Sequence, residues 1–385
     1  MKITRVDAYS LKMPERPVDA SQVRPAKHGD YYIAADAFTA IYTRRRETTL
    51  VRIETDTGIV GWGESQAPVA SKAVKQIVEE LCTPLLLGRD PFETKFIWYR
   101  LYSAMRERGH MTGFYPDAPA GVDIALHDLL GKALGIPVYR LLGGPFRDRV
   151  PVYDSGIEGS DPEHVAVQSA RSVSRGYRAV KLHVRVSNAV LEQMVKMIRV
   201  RVGDKVEVMV DIHTERDVSG AIELGRLLEP LHVRWLETPT APEDIEGNAE
   251  VARGLTMQVA GGEWLRTSYE WKRYLEKRAF DVAMPDIGRT GLSEGIRIAS
   301  MCDVYNIPVS PHIGNGMALI TAANIHLSAA IPNFQILEHV DAYQDENTSF
   351  TRGHHDVVDG AFVLDDRPGL GVEVNEDAVA GLSTA

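Results

Sequence analysis

Seven ionisable side chains recur at the ends of short apolar segments in the second half of the chain. Each closes or directly follows a run rich in Val, Ile, Leu, Met or Trp, and successive members lie 23 to 30 residues apart. A strand, its helix and the connecting loops occupy about that length, so the spacing indicates one such residue per β-α unit. The seven are Lys181, Asp211, Glu237, Glu263, Asp286, His312 and Glu338.

Three of these side chains are carboxylates from successive units, namely Asp211, Glu237 and Glu263. Carboxylates that converge without a partner repel each other and raise each other's pKa. A divalent cation removes this repulsion. Because the donor set is all oxygen, the ion expected is Mg²⁺, with Mn²⁺ as the second choice.

The next units bring an acid beside an imidazole. A carboxylate next to a histidine fixes its tautomer and raises its basicity, so Asp286 and His312 together predict a general base. Glu338 follows on the next unit and has two interpretations. It is either a protonated donor to an oxyanion or a structural partner of its neighbours.

Strand parity adds further candidates, because residues two apart on a strand point to the same face. Lys181 and His183 should therefore both face the interior or mouth of the domain. A lysine buried near a cation is expected to have a lowered pKa and to act as acid, base or carboxylate contact. The same parity places His213 beside Asp211. Glu215 shares it but lies past the expected strand end, so its role stays open.

The elements that must position these residues change character near residue 150. The first 130 or so residues predict a small antiparallel sheet, including a hairpin around Asp56–Gly58, followed by helices. Beyond them, apolar strands alternate with amphipathic helical segments, as in buried parallel sheets. Eight such units favour a TIM barrel, whose strand ends meet at one rim. The predicted strands are 150–156, 179–184, 206–213, 233–238, 257–263, 280–286, 307–313 and 334–339.

Composition excludes several classes of function. The 385 residues carry a net charge of −10, which argues against nucleic acid or an anionic membrane as the main partner. The basic triplet Arg44–Arg46 is expected to be a solvated turn. Cys82 and Cys302 form no CxxC motif, and we find no signal-peptide pattern or long apolar run, so a cytoplasmic location without membrane association is expected.

The strand-end motifs, taken in order, resemble those of the enolase superfamily, and within it the mandelate racemase-like group. They are VDIH, WLETP, AGGE, MPDIGRTG and SPHIGNG. The resemblance covers essentially the whole chain, and segment 359–377 is similar to the family's C-terminal return. It implies an α/β fold, a modified (β/α)7β TIM barrel with an N-terminal α+β capping domain that the C-terminal segment completes. The implied divisions are 1–130, 131–345 and 346–385.

By position, the resemblance implies that Asp211, Glu237 and Glu263 are Mg²⁺ ligands, that Asp286 and His312 are the catalytic dyad, and that Glu338 is an electrophilic glutamate. Lys181 matches the first lysine of a Lys-x-Lys motif. The chain departs from the family pattern twice. His183 replaces the second lysine, which weakens a two-base racemase that uses lysine. Thr238 stands where glutamate is usual, without changing the implied ligand.

The Asp-x-His pair formed by Asp211 and His213 resembles acid-sugar dehydratases such as galactonate and mannonate dehydratases. This implies that His312 removes the proton α to a carboxylate while His213 helps the 3-hydroxyl leave, giving a 2-keto-3-deoxy acid. Lys181 or His183 would then be a second base or a substrate contact. The resemblance also implies a homo-oligomer, from dimer to octamer, and substrate-contacting loops at roughly 17–35 and 64–70.

Two alternatives remain open at this point. A racemase, epimerase or cycloisomerase would use the same enolate with two bases and would lose no hydroxyl. A non-catalytic sugar-acid binding or regulatory protein would keep the barrel without turnover. The acid sugar itself, and its stereochemistry, are set by loop geometry.

Overall fold

The N-terminal region combines a three-stranded antiparallel sheet with a layer of helices in this computed structural model, which describes residues 1–15, 24–25, 30–35 and 38–384. The sheet has the order β1-β5-β6, and β2-β3-β4 form a second sheet. The predicted first strand and hairpin are both present. The elements are β1 (Ile3–Lys12), β2 (Arg24–Pro25), β3 (Tyr31–Ala35), β4 (Phe38–Thr43), β5 (Glu47–Thr55), β6 (Val60–Ser65), α1 (Ser71–Ile77), a π-helix (Val78–Cys82), α2 (Thr83–Leu86), α3 (Thr94–Ala104), α4 (Phe114–Leu134) and α5 (Val138–Leu141).

The second region is a parallel barrel in which seven helices alternate with the strand positions, as the (β/α)7β prediction requires. Strands β7 to β12 lie side by side in chain order, and β13 pairs with β7 in parallel. The elements are β7 (Arg149–Ile157), α6 (Pro162–Ser174), β8 (Ala179–His183), α7 (Asn188–Val202), β9 (Glu207–Asp211), α8 (Val218–Leu228), a 3₁₀ helix (Glu229–Leu231), β10 (Val233–Glu237), α9 (Ile245–Gly254), β11 (Gln258–Gly261), α10 (Ser268–Lys277), β12 (Val282–Ala283), α11 (Ile287–Val304), α12 (Ala318–Ala330) and β13 (Leu337–His339).

The seventh barrel position is held by isolated bridges instead of the continuous strand predicted at 307–313. Val309 bridges Ala283 on one side and Phe334 on the other, and His312 bridges Asp286. Prolines at 308 and 311 explain the interruption, because proline has no N–H to donate to a strand ladder. The barrel nevertheless closes through these bridges.

The barrel interior shows why polar side chains end up at its rim. One buried cluster fills the barrel interior with residues of β7 to β12 and residues adjoining β12 and β13, and it consists of Tyr153, Ala179, Met209, Trp235, Ala260, Val282, Met284 and Ile336. Side chains two residues further along a strand point to the same face. Five of the seven predicted site residues lie two positions beyond a member of this cluster, and they are Lys181, Asp211, Glu237, Asp286 and Glu338.

The C-terminal segment returns to the N-terminal region, as the resemblance implied. Strand β16 pairs antiparallel with β7, and the amide of Thr384 donates to the carbonyl of Ser10 on β1 at 2.9 Å. The boundary predicted at residue 130 falls within the unbroken helix α4, and the three-part division stays a prediction. The elements are a 3₁₀ helix (Asp341–Tyr343), α13 (Gln344–Thr348), β14 (Thr351–Arg352), β15 (Val357–Val358), β16 (Ala361–Val363), β17 (Glu373–Val374) and α14 (Glu376–Leu382).

Glu64 joins the N-terminal region to the barrel. Its fully buried carboxylate accepts backbone N–H groups of Met317 at 2.8 Å and Leu319 at 3.2 Å, where α12 begins. A carboxylate at a helix N-terminus satisfies amides that have no partner within the helix. Glu64 is therefore an anchor for α12, whereas the sequence placed it in a substrate-contacting loop. Much of the other predicted loop, 17–35, lies outside the described residues.

Arg46 is a second anchor, and its prediction as part of a solvated turn is wrong. Only 6% of the residue is exposed. Its guanidinium donates to the carbonyl of Asn315 at 2.7 Å and to the side chain of Asn347, and it lies 4.5 Å from the ring centre of Tyr343. Arg46 thus holds the segment three residues beyond His312. Among the described residues, no helix is both long and apolar enough to cross a membrane.

Candidate active site

The structure brings six of the seven predicted strand-end residues into one network of side-chain contacts and places the seventh, Asp211, on the strand beside Glu237. The side chain of Lys181 contacts two of the carboxylates, and His312 contacts three. On adjacent strands, Glu237 is in register with Asp211. The contacts are Lys181–Glu237 at 2.6 Å, Lys181–Glu338 at 2.9 Å, His312–Asp286 at 2.8 Å, His312–Glu263 at 3.1 Å and His312–Glu338 at 3.7 Å.

Lys181 is a buried cation between two carboxylates. Burial alone would lower the pKa of Lys181, but Glu237 and Glu338 outweigh it and raise that pKa well above its usual value. The lowered pKa was predicted for a lysine beside a bound cation, and for the metal-loaded site it stays a prediction. Between these two carboxylates, Lys181 fits a fixed positive charge that orders them.

Glu338 supports the loop that carries the histidine. Its Oε2 accepts the amides of Ile313 at 2.7 Å and Gly314 at 3.0 Å. Burial favours the neutral acid, but Lys181 and His312 outweigh it and lower the pKa of Glu338 below its usual value. The carboxylate is thus an ionised acceptor. These contacts support the interpretation of Glu338 as a structural partner, and its role as a donor to an oxyanion stays a prediction.

Asp286 and His312 form the predicted dyad. Nδ1 of His312 lies 2.8 Å from Oδ2 of the fully buried Asp286, and Nε2 lies 3.1 Å from Oε2 of Glu263. Burial lowers the pKa of His312, but Glu263 and Glu338 reverse this and raise it to about 10. Since Glu263 is the largest of the raising causes, a ligand that neutralises Glu263 will bring the pKa of His312 back towards neutrality.

Arg289, which the sequence did not single out, braces this dyad from the MPDIGRTG motif. Its Nε lies 3.5 Å from Oδ2 of Asp286, and its guanidinium donates to the backbone carbonyl of Glu263 at 3.1 Å. Arg289 therefore contacts two of the three acidic residues that lie against His312.

The three predicted metal ligands differ in their electrostatics. Burial is the main cause that raises the pKa of Glu237 to about 8, with Lys181 opposing it and Asp211 adding to it. Burial also disfavours the ionised forms of Asp211 and Glu263, but neighbouring histidines lower both pKa values. Two buried carboxylates and the partly buried Glu263, with Glu237 costly to ionise, fit a hard divalent cation. Their role as ligands stays a prediction.

Asp211 is held by the two backbone turns that follow its own strand and the next one. Its Oδ1 accepts the amide of His213 at 2.8 Å and the hydroxyl of Thr238 at 2.7 Å. Both donors have left-handed backbone, with φ of 49° at His213 and 45° at Thr238. Strand β9 ends at Asp211, so a turn brings His213 to the site and strand parity does not.

His183 and His213 face each other beside Asp211. Their ring centres lie 5.2 Å apart at an interplanar angle of 74°, and Nδ1 of His183 lies 3.1 Å from Oε1 of Glu158. Burial lowers the pKa of both imidazoles, but the contact with Glu158 makes the net pKa of His183 raised, whereas that of His213 is lowered. Glu158 was missed because the predicted first barrel strand, 150–156, stops short of it, although its separation of 23 residues from Lys181 fits the regular spacing.

Over these histidines, the N-terminal region meets the barrel through Tyr42 and Arg185. Arg185 donates to the Tyr42 hydroxyl at 2.6 Å, and its Nε lies 3.4 Å from Glu215. The open role of Glu215 is thus an ion pair with Arg185. Arg185 was not predicted, although it continues the i, i+2 pattern of Lys181 and His183 and would have been found by extending it.

Comparisons with known families agree with this geometry. Residues 33–143 match the mandelate racemase / muconate lactonizing enzyme N-terminal domain, and residues 164–378 match the enolase C-terminal domain-like family. The chain belongs to the enolase superfamily. This confirms the resemblance that the strand-end motifs carried. Enzymes of this superfamily bind a divalent metal, and the chain is accordingly an enzyme.

Curated relatives of this enolase-superfamily enzyme include proteins of different activity. D-galactarolactone cycloisomerase of Agrobacterium fabrum is 31% identical over 87% of this chain and 91% of that relative. Arabinonate dehydratase of Saccharolobus solfataricus is 32% identical over 86% of this chain and 89% of that relative. Because a cycloisomerase and a dehydratase show nearly equal sequence identity to this chain, 31% and 32%, sequence identity leaves the reaction open between elimination and isomerisation.

Solved structures match the whole fold. A member of the enolase superfamily from Agrobacterium tumefaciens is 28% identical, covers 99% of this chain and 98% of its own, and superposes with a TM-score of 0.93. A racemase from Streptomyces coelicolor with bound magnesium is 26% identical, covers 99% and 100%, and has a TM-score of 0.85. These likenesses confirm the barrel with its N-terminal domain.

Proposed function

We propose that this protein is an acid-sugar dehydratase that depends on Mg²⁺, or secondarily on Mn²⁺. It removes the proton α to the substrate carboxylate and the 3-hydroxyl, and so forms a 2-keto-3-deoxy acid. The observation that carries this proposal is that two imidazoles lie beside the predicted metal ligands: Nε2 of His312 lies 3.1 Å from Oε2 of Glu263, and a ring nitrogen of His213 lies within 4.8 Å of a carboxylate oxygen of Asp211. An arabinonate dehydratase and several galactonate dehydratases among the relatives support it.

The residues that would hold the cation are Asp211, Glu237 and Glu263. When bound there, a divalent cation supplies stabilisation of the negative charge that builds on the substrate carboxylate as the α-proton leaves. The other requirements fall to the chain's own side chains, which must position the substrate, accept one proton and deliver another.

His312 is the proposed base. Asp286 occupies its Nδ1, so the imidazole presents Nε2 to the mouth of the barrel in a fixed orientation. Transfer of the α-proton to Nε2 leaves an imidazolium that the buried Asp286 stabilises. Arg289 holds Asp286 by an ion pair. Glu338 holds the backbone just after His312 by accepting the amide of Ile313.

His213 is the proposed acid. Burial is the main cause of its lowered pKa, and a lower pKa makes the protonated imidazole a stronger donor to a departing hydroxyl. The left-handed turn at residues 213–214 fixes its backbone beside Asp211. Lys181, with its raised pKa, stays charged and supplies a positive charge near the substrate carboxylate.

An acid-sugar panel with Mg²⁺ present tests the function, with semicarbazide detection of a 2-keto product and solvent deuterium uptake at C2. We expect His312→Asn to lose both signals. His213→Asn should lose the keto product and retain deuterium uptake. His164→Asn, an exposed histidine on α6, is the matched control and should retain both. Unchanged dehydration in His213→Asn would remove this residue from the mechanism.

A second candidate, an epimerase, racemase or cycloisomerase, is favoured by one observation. The pair of His183 and Glu158, at 3.1 Å, repeats the carboxylate–imidazole arrangement of Asp286 and His312. Two such pairs fit a two-base reaction. Deuterium uptake at C2 without any keto product, abolished by His183→Asn as well as by His312→Asn, would establish this alternative.

Inactivity on the whole panel with Mg²⁺ bound would support a binding protein.

A further inference from the structure

A group of metal-binding character lies beside the predicted carboxylate set and differs from it in chemistry. One ring nitrogen of His183, one of His213 and one carboxylate oxygen of Asp211 all lie within 4.8 Å of one another. A cation about 2.0–2.2 Å from each donor bridges such a group after small side-chain shifts. The donors are two imidazoles and one carboxylate, and only Asp211 belongs to the all-carboxylate set.

Two of the three donors are also held from behind. Oε1 of Glu158 lies 3.1 Å from Nδ1 of His183, which leaves Nε2 as the nitrogen for a ligand. Thr238 and the amide of His213 both donate to Oδ1 of Asp211, which leaves Oδ2. Histidines that ligate metals usually direct their second nitrogen to a carboxylate, carbonyl or water, and ligating carboxylates are hydrogen-bonded in turn. This supporting shell is independent of the distances among the donors.

The donor types determine the ion. Imidazole nitrogen suits Zn²⁺, Ni²⁺, Cu²⁺ and related ions, whereas Mg²⁺ prefers oxygen donors. We propose that His183, Asp211 and His213 form a second divalent-cation site, selective for a transition-metal ion such as Zn²⁺ or Co²⁺, alongside the predicted Mg²⁺ ligands. Asp211 is the side chain shared by the two sites, and its Oδ2 is the oxygen that would bridge them.

Occupancy of this second site has a consequence for catalysis. A nitrogen that gives its lone pair to a metal neither accepts nor carries a proton. Zn²⁺ at the site therefore removes His213 from proton donation and His183 from any role as second base, and it inhibits the enzyme. The inhibition rests on the proposed function, whereas the metal binding does not.

Calorimetric titration of ZnCl₂ into the Mg²⁺-saturated protein tests the binding. We expect one Zn²⁺ per chain. Glu158→Gln should weaken the affinity roughly 10–100-fold, as for other supporting partners of ligating histidines. This substitution is mild, since the Glu158 side chain is 57% exposed. His183→Asn and His213→Asn should weaken binding further, and His312→Asn, a third histidine of the same mouth, should leave it unchanged. Circular dichroism checks that each variant is folded.

Co²⁺ tests which atoms coordinate the metal, because its visible absorption depends on its ligands. Its visible absorption should show nitrogen coordination in the wild type and lose it in His213→Asn. The proposal is overturned if Mg²⁺-saturated protein takes up no Zn²⁺, or if affinity depends on His312 and not on His183 and His213. If Zn²⁺ binds as expected but no acid sugar is dehydrated, the metal site stands and the proposed function fails.

Discussion

The hydroxyl of Thr238 donates to Oδ1 of Asp211 at 2.7 Å, across from one barrel strand to the next. Thr238 directly follows Glu237 and is the position where this chain departs from the family's usual glutamate. Its left-handed backbone, with φ of 45°, turns the side chain back towards Asp211. The departure is thus a donor that orients a predicted metal ligand, and it is not a neutral replacement.

Thr238→Val should therefore weaken Mg²⁺ binding while leaving the fold intact. Valine keeps the shape but removes the hydroxyl, so one oxygen of Asp211 loses a donor. We expect Mg²⁺ affinity to fall roughly 10–100-fold, the range for lost supporting contacts. Calorimetry with MgCl₂ measures it. Thr238→Ser retains the donor and should bind Mg²⁺ like the wild type; equal weakening in both variants would contradict the role of the hydroxyl.

Asp286→Asn should impair the proposed base without removing it. The amide either donates to Nδ1 or accepts from it without the negative charge that stabilises the imidazolium. Deuterium exchange at C2 should fall roughly 10²–10⁴-fold, the usual contribution of a positioned base, with little change in KM. Asp281→Asn, at the opposite end of the same barrel strand, is the control. A larger effect at Asp281 would argue for a structural cause.

Arg46→Met should reduce turnover from a distance. Arg46 holds the carbonyl of Asn315, and that segment carries His312 three residues earlier. Loss of the guanidinium lets the segment relax, and a displacement near 1 Å at a reacting group costs roughly 10²-fold in rate. Arg45→Met, a neighbour whose side chain is 41% exposed, should have little effect. Equal activities of the two variants would show that the anchor is dispensable.

The barrel and its rim were predictable because strand ends recur at a nearly constant spacing and each closes an apolar run. Parity correctly placed Lys181 and Asp211, since each continues a column of interior residues. Parity also predicted that His213 lies beside Asp211. The position is correct but the reason is not, because a left-handed turn after β9 brings that residue to the site. The local sequence pattern does not predict this turn, because the turn depends on the hydrogen bond from the His213 amide to the Asp211 side chain.

Properties set by several distant residues were not predictable. The raised pKa of Lys181 depends on Glu237 and Glu338 arriving from two other strands. Likewise, the buried contacts of Arg46 depend on the segment before α12 and on α13, whose contacting residues lie 269 and 301 positions further along the chain. A basic triplet has the same local sequence in either setting, so the solvated turn was the ordinary interpretation.

Two buried histidines, one on α12 and one next to Glu338 on β13, should make stability fall on acidification. Burial, with His355 nearby, lowers the pKa of His326 to about 3, and burial, with Arg175 nearby, lowers that of His339 to about 4. Unfolded histidine has a pKa of about 6.5, so between these values the unfolded chain binds more protons than the folded one. The stabilising contribution is complete above about pH 6.5 and is lost progressively below it.

Each histidine should therefore remove about 1.6 kcal/mol of unfolding free energy between pH 6.5 and pH 5. Urea unfolding at several pH values measures this slope. His339→Phe keeps an aromatic ring against Phe362 and removes the titration, so its mean slope over this range should be smaller by about 1.1 kcal/mol per pH unit whatever constant packing cost it adds. His164→Gln, at an exposed position, should keep the wild-type slope. A His339→Phe slope equal to that of the wild type would show that this ring is protonated in the folded chain.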